Sequence, residues 1–122
     1  MSIETERLIS LIFNVTLIQG YGGTEVCGAS HAREIYDLSL GHTGPPLSGF
    51  KAKLVDWVEG GYSPRDKPFP RGEIVVNGSS VVTGYYLMER ETNDAFRYEN
   101  GEKWYYTGDI AQVYNKSPFF VL

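Results

Sequence analysis

The stretch Gln19-Gly20-Tyr21-Gly22-Gly23-Thr24-Glu25 places three glycines within four positions, directly after an apolar run from Leu8 to Ile18. Glycine lacks a Cβ, so such a stretch turns the chain sharply and lets backbone approach a ligand closely. The residues beside the glycines carry distinct chemistry. Tyr21 offers a flat ring on which a base can stack, Thr24 a hydroxyl for a phosphate oxygen, and Glu25 a carboxylate suited to magnesium. A buried strand ending in this loop suggests a nucleotide site at the carboxyl end of a sheet. A glycine-rich strand–helix turn with no ligand is the alternative that the stretch, taken by itself, leaves open.

A chain of 122 residues suits one domain with a core of its own. Hydrophobic residues at 42% and aromatic residues at 14% are those of a folded protein. The formal net charge is -4 and the basic residues are scattered, which argues against a nucleic-acid surface. Cys27 is the single cysteine, which excludes an internal disulfide and fits a reducing, intracellular compartment. The start carries Glu4 and Glu6 rather than a basic signal region, and Leu8 to Ile18 is too short to span a bilayer. Without a secretory route, the sequons at Asn14, Asn77 and Asn115 read as coincidence.

Along the chain, Ser2 to Ser10 predicts one or two helical turns, with Glu4 and Glu6 near the favourable end. Phe13 to Gln19 predicts a strand buried on both faces, as in a parallel sheet. Glu25 to Asp37 is a short helix candidate, and the glycine- and proline-bearing Ser39 to Ser48 a loop. From there the pattern becomes β. Phe50, Ala52, Leu54 and Val58 are expected on one strand face, with Lys51 and Lys53 on the other. Gly60-Gly61 predicts a turn, Tyr62 to Pro70 a surface loop, and Glu73 to Val76 a strand ending at Asn77-Gly78. Thr92 is a candidate cap for a short helix through Phe96, Asn100-Gly101 a hairpin turn, and Ile110 to Tyr114 the start of another strand. The fold class this predicts is α+β, mainly β: a buried strand and loop, then a small distorted antiparallel barrel.

Three further stretches follow in order: Gly72-Glu73-Ile74-Val75-Val76-Asn77-Gly78, Val82-Thr83-Gly84-Tyr85-Tyr86, and Trp104-Tyr105-Tyr106-Thr107-Gly108-Asp109. Together with Tyr21-Gly22-Gly23-Thr24-Glu25 they resemble the adenylate-forming (AMP-binding) enzymes, and among these the long-chain acyl-CoA synthetases. The wording Glu59-Gly60-Gly61-Tyr62, Asp66, Pro68 and Pro70-Arg71-Gly72-Glu73 is similar to the animal branch known for polyunsaturated acyl substrates. The likeness covers roughly Leu17 to Ile110.

The resemblance implies a role for each matching residue. Tyr21 would stack on adenine, with backbone at Gly20 and Gly22 lining the same pocket; Thr24 would bind the α-phosphate; Glu25 would ligate magnesium. Thr24 and Glu25 would thus be the catalytic pair, and Asp109 would accept hydrogen bonds from the ribose hydroxyls, work for which a carboxylate is equipped. The bland reading of Asp109 is a turn residue after Gly108. Glu73 and Gly84 would support the site, while Trp57, Tyr85, Tyr86 and Trp104 read as core or sheet-surface aromatics. Gly23 departs from the bulkier apolar residue of many family members. Cys27, His31 and His42 do not form a convincing zinc site and read as a buried thiol with surface histidines. Asp37 with Glu34, and Glu89 with Glu91, read as solvated charges.

Family members use ATP, Mg2+ and CoA to activate a fatty acid, with charge developing on phosphate oxygens. Their lysine-ending phosphate loop, arginine-containing hinge and lysine-bearing small domain have no counterpart in these residues. The expectation is a partial AMP-binding domain: 1–41 with the adenine and magnesium motif, 42–114 a β-subdomain ending in the ribose motif, and 115–122 a non-matching tail. Competing readings are a non-catalytic isoform that binds a partner such as the full-length enzyme, or a piece of another adenylate-forming ligase. By resemblance the full-length enzyme belongs at the endoplasmic reticulum or another intracellular membrane, with no anchor in this stretch. AMP formation dependent on fatty acid and CoA is expected to be undetectable with the purified 122-residue chain, as coupled AMP detection would read.

Overall fold

Ser2 opens the first helix, α1 (Ile3–Phe13), its hydroxyl accepting the Thr5 N–H at 3.2 Å, with Glu4 and Glu6 in the first turn. In the computed structural model, which describes residues 1–114 and the backbone of Phe119–Val121, this helix passes the expected end at Ser10. It stops where Asn14 turns left-handed (φ 50). The strand expected over Phe13 to Gln19 is replaced by the helix end and an extended segment outside any ladder. A strand buried on both faces needs flanking strands, and none lies beside this segment among the described residues. Leu8, Leu11, Ile12 and Phe13 are accordingly exposed. No helix among the described residues is long and apolar enough to cross a membrane.

A buried charge pair ties α1 down. Glu6 is fully buried and ion-pairs with Arg33, itself 3% exposed. Arg33 donates to the carbonyls of Leu17 and Ser39, and the second Glu6 oxygen accepts the Gly41 N–H at 3.1 Å. One guanidinium thus ties α1, the stretch at Leu17 and the loop at Ser39 to the residue that follows β2.

The glycine stretch is itself a strand. β1 (Gly20–Gly23) pairs antiparallel with β2 (Gly28–Ala32) across a single 3-10 turn, Thr24–Val26. This replaces the helix expected over Glu25 to Asp37. Cys27 goes left-handed (φ 57) and ends the helical turn after three residues, and the next residues find ladder partners in β1. Gly22 is required by that pairing: a Cβ there would lie 2.0 Å from the Gly28 carbonyl oxygen.

The rest is a curled antiparallel sheet, in agreement with the predicted α+β, mainly β class. β3 (Phe50–Val55), β4 (Arg71–Gly78), β5 (Phe96–Glu99) and β6 (Glu102–Val113) lie in the order β3-β4-β6-β5, with β7 (Phe119–Val121) on β6. α2 (Glu89–Ala95) precedes β5. β6 spans Glu102–Val113, so Ile110 continues that strand after a bulge and does not start a separate one. Thr92 lies inside α2 instead of capping it, because the helix begins at Glu89; its hydroxyl accepts the Tyr85 N–H. Of the tail at 115–122, residues 115–118 and 122 lie outside the described residues.

Alternation in β3 falls as expected, with Phe50, Ala52 and Leu54 toward the core and Lys51 and Lys53 paired with Glu102 and Glu99. Val58 does not share that face. It is exposed within the turn closed by the Trp57–Tyr62 bridge. Ile74 and Val76 of β4 form the core with Val26, Val81, Phe96 and Ala111, so the tip of the β1–β2 hairpin is seated on the sheet through Val26. Glu6→Gln is expected to destabilise the fold by about 3 kcal/mol, because it leaves the Arg33 charge buried without its counter-ion; urea unfolding of both proteins measures this.

Candidate functional site

Two residues 88 positions apart close the site: the Tyr21 hydroxyl donates to Asp109 Oδ2 at 2.7 Å. β6 delivers Asp109 through a bulge. Glu73 pairs with Ile110 and Val75 with Tyr106, so Thr107, Gly108 and Asp109 stand opposite Ile74 alone. Gly108 turns left-handed (φ 74), a conformation suited to glycine. Three hydrogen bonds fix the excursion. Thr107 Oγ1 donates to the Ile74 carbonyl at 2.7 Å, the Asp109 N–H to Thr107 Oγ1 at 3.1 Å, and the Gly108 N–H to Glu73 Oε1 at 2.9 Å.

A small cavity between hairpin and sheet is lined by Tyr21, Gly22, Gly23, Tyr105, Thr107 and Asp109, among others. Tyr21 is half-buried, its ring 5.7 Å from that of His31, and burial pushes its hydroxyl pKa up, so the phenol stays protonated. Thr24 is exposed and lines an adjoining surface depression with Gly20, Tyr21 and Gly22. Glu25 lies against the segment between β4 and α2. The Val82 N–H donates to its carbonyl at 2.9 Å, and the Tyr85 hydroxyl donates to its Oε1 at 2.7 Å. That hydrogen bond, with its own backbone N–H and a lesser one from Tyr105, holds the Glu25 carboxyl below the usual carboxylate range.

The structure therefore joins Tyr21, Gly22 and Asp109 around one cavity, with Gly20 and Thr24 at its margin and Glu25 around the corner. Tyr85 is more than a core aromatic, since its hydroxyl engages Glu25, while Tyr86 is exposed. Nothing local signals the Tyr85 contact, which spans 60 positions. Among the described residues no group of three or more His, Cys, Asp and Glu is placed to hold a metal ion.

The cysteine and histidine assignments reverse. Cys27 is exposed at the hairpin tip, whereas His31 and His42 are buried. His31 faces Tyr21 from the neighbouring strand, with Nδ1 2.9 Å from Ser30 Oγ. His42 Nδ1 accepts the Gly44 N–H at 3.2 Å, which leaves Nε2 toward Ser39 Oγ at 2.6 Å and Asp37 Oδ2 at 3.2 Å. Serine and aspartate thus share one ring nitrogen, which is no nucleophilic triad. Asp37 is consequently a partner in this loop, not simply a solvated charge.

A hairpin laid on an antiparallel sheet, with a carboxylate and a phenol meeting between them, frames the candidate site. The family model described as "AMP-binding enzyme" matches residues 1–86, and the chain belongs to that family. It is 43% identical over 115 residues, 93% of its length, to long chain acyl-CoA synthetase 8 of Arabidopsis thaliana. It is 34% identical over 92% of its length to fatty acyl-CoA synthetase B of Dictyostelium discoideum. The chain spans 16% of the length of each of these relatives. Among solved structures, the A-PCP didomain of carboxylic acid reductase from Segniliparus rugosus in complex with AMP superposes with a TM-score of 0.81 at 27% identity. That superposition covers 100% of this chain and 15% of the other.

Burial lowers the His31 pKa from 6.5 to about 4. The unfolded chain therefore takes up a proton there that the folded chain refuses. The stability present above about pH 6.5 is lost as pH falls toward 4, by up to about 3 kcal/mol. His31→Gln is expected to flatten that part of the profile relative to the unsubstituted protein, as unfolding free energies measured from pH 7 to 4 will show.

Proposed function

We propose that this chain is the adenylate-cradling part of a long-chain fatty acid–CoA ligase. The enzyme activates a fatty acid with ATP through an acyl-adenylate and passes the acyl group to CoA. The observation that carries the reading is the Tyr21–Asp109 contact, which joins the glycine hairpin to the β6 bulge within an AMP-binding family chain. The names of the Arabidopsis and Dictyostelium relatives support the acyl substrate class, and the AMP-bound structural neighbour supports the nucleotide.

In this reading Tyr21 offers its ring to adenine, and backbone at Gly20 and Gly22 borders the base. Thr24, exposed beside them, donates its hydroxyl to the α-phosphate. Asp109 accepts the ribose hydroxyls, with its orientation fixed by Thr107 and Glu73. Glu25 fits a magnesium ion: its carboxyl stays ionised, and Oε1 is engaged by Tyr85. Oε2 stands on the Gly23 side, 3.3 Å from where a Cβ on that residue would be. A lone carboxylate is an ordinary magnesium donor when phosphate oxygens and water supply the remainder, and the bound ion would neutralise phosphate charge.

Residues 1–41 then carry the adenine and magnesium elements, 42–114 the β-subdomain, and 115–122 a tail of its own. The wording from Glu59 to Glu73 supports the animal polyunsaturated-acyl branch, and by the same resemblance the longer protein belongs at the endoplasmic reticulum or another intracellular membrane. The exposed apolar side of α1 supports association with the remainder of such an enzyme.

In the full-length protein, Asp109→Asn and Glu25→Gln are expected to lower fatty-acid-dependent ATP–pyrophosphate exchange by about 100-fold each. Exchange at the unsubstituted rate in both variants overturns the assignment.

A further inference from the structure

Glu25 is held from two directions by one short stretch of chain. The Val82 N–H donates to its carbonyl at 2.9 Å, and three residues later the Tyr85 hydroxyl donates to Oε1 at 2.7 Å. Backbone and side chain are thereby referenced to the same segment. Tyr85 is itself anchored at both ends. Its N–H donates to Thr92 Oγ1 at 2.9 Å, and its ring lies 5.7 Å from buried Phe96, which in turn lies 5.2 Å from Tyr105. The phenol is therefore a rigid arm reaching from the α2–β5 region to a carboxylate on the hairpin.

A flexible glutamate on a three-residue turn can present either oxygen in many directions. The Tyr85 hydroxyl takes Oε1, while Oε2 stands on the Gly23 side. Outer partners of this kind orient metal-binding carboxylates, and their loss costs 10–100-fold in metal affinity. We propose that Tyr85 is a positioning residue that fixes the Glu25 carboxylate so that Oε2 receives a hard divalent cation arriving with a nucleotide phosphate. The inference rests on the reading of Glu25 given above, and it assigns Tyr85 a task that neither core packing nor sheet covering requires.

The test uses the full-length protein, with Mn2+ as the probe and electron paramagnetic resonance as the readout in the presence of ATP. Tyr85→Phe keeps the ring and removes the hydroxyl. It is expected to weaken Mn2+ binding about tenfold while metal-free ATP affinity stays unchanged. Glu25→Gln is expected to weaken Mn2+ at least as much, and Tyr86→Phe to leave it unchanged. Unaltered Mn2+ affinity in Tyr85→Phe, with loss in Glu25→Gln, overturns the role of Tyr85. Unaltered affinity in both overturns the Glu25 reading and the inference with it. If Tyr85→Phe does not fold, Thr92→Val, which frees the Tyr85 backbone, decides by the same readout: weakened Mn2+ supports the arm and unchanged Mn2+ overturns it.

Discussion

β6 pairs with β4 on both sides of Ile74, and it can do so only by looping out Thr107, Gly108 and Asp109 against that single residue. The site depends on this mismatch. In a regular ladder successive residues alternate between faces, so Asp109 would be one more sheet-surface carboxylate. The bulge instead carries it toward Tyr21, and hydrogen bonds from all three residues of the excursion prevent it from relaxing. The first of them closes on the carbonyl of Ile74, whose side chain is wholly buried, so the site and the core share a foundation.

The hairpin meets this foundation with little apolar area of its own. β1 is almost all glycine, and Val26 is its only buried hydrophobic residue in the core cluster. What fixes the hairpin is a set of directed polar contacts: Tyr21 to Asp109, Val82 to Glu25, and Tyr85 to Glu25. Such contacts add modest net stability compared with apolar burial but specify orientation closely. The arrangement suits a surface that must hold chemical groups in register while leaving room between hairpin and sheet.

The β part was legible in the sequence because its signals are local. Alternation over Phe50 to Leu54, the Asn100-Gly101 pair between two aromatic runs, and the strand ending at Asn77-Gly78 each state their structure within a few residues. The motif residues Tyr21 and Asp109 were legible through resemblance, and the fold brings them into contact. The start of the chain departs from its sequence pattern for a physical reason. Apolar composition across Phe13 to Gln19 suits a buried strand, but burial depends on neighbours that a sequence window does not contain. The histidines depart from theirs for the converse reason. His42 is buried because Asp37, Ser39 and the Gly44 N–H converge on its ring. Polar residues enclosed by such a loop are indistinguishable in sequence from solvated ones.

The Glu6–Arg33 pair has a bearing on how α1 can move. Apolar seams tolerate sliding, since one methyl group replaces another with little change in energy. A buried guanidinium that reads two carbonyls and one carboxylate has a single arrangement in which its charge is answered. With Leu17, Ser39 and Gly41 gathered around the pair, even a small displacement of α1 would leave two buried charges without their partners, so the helix is held by charge where its own apolar face is left exposed.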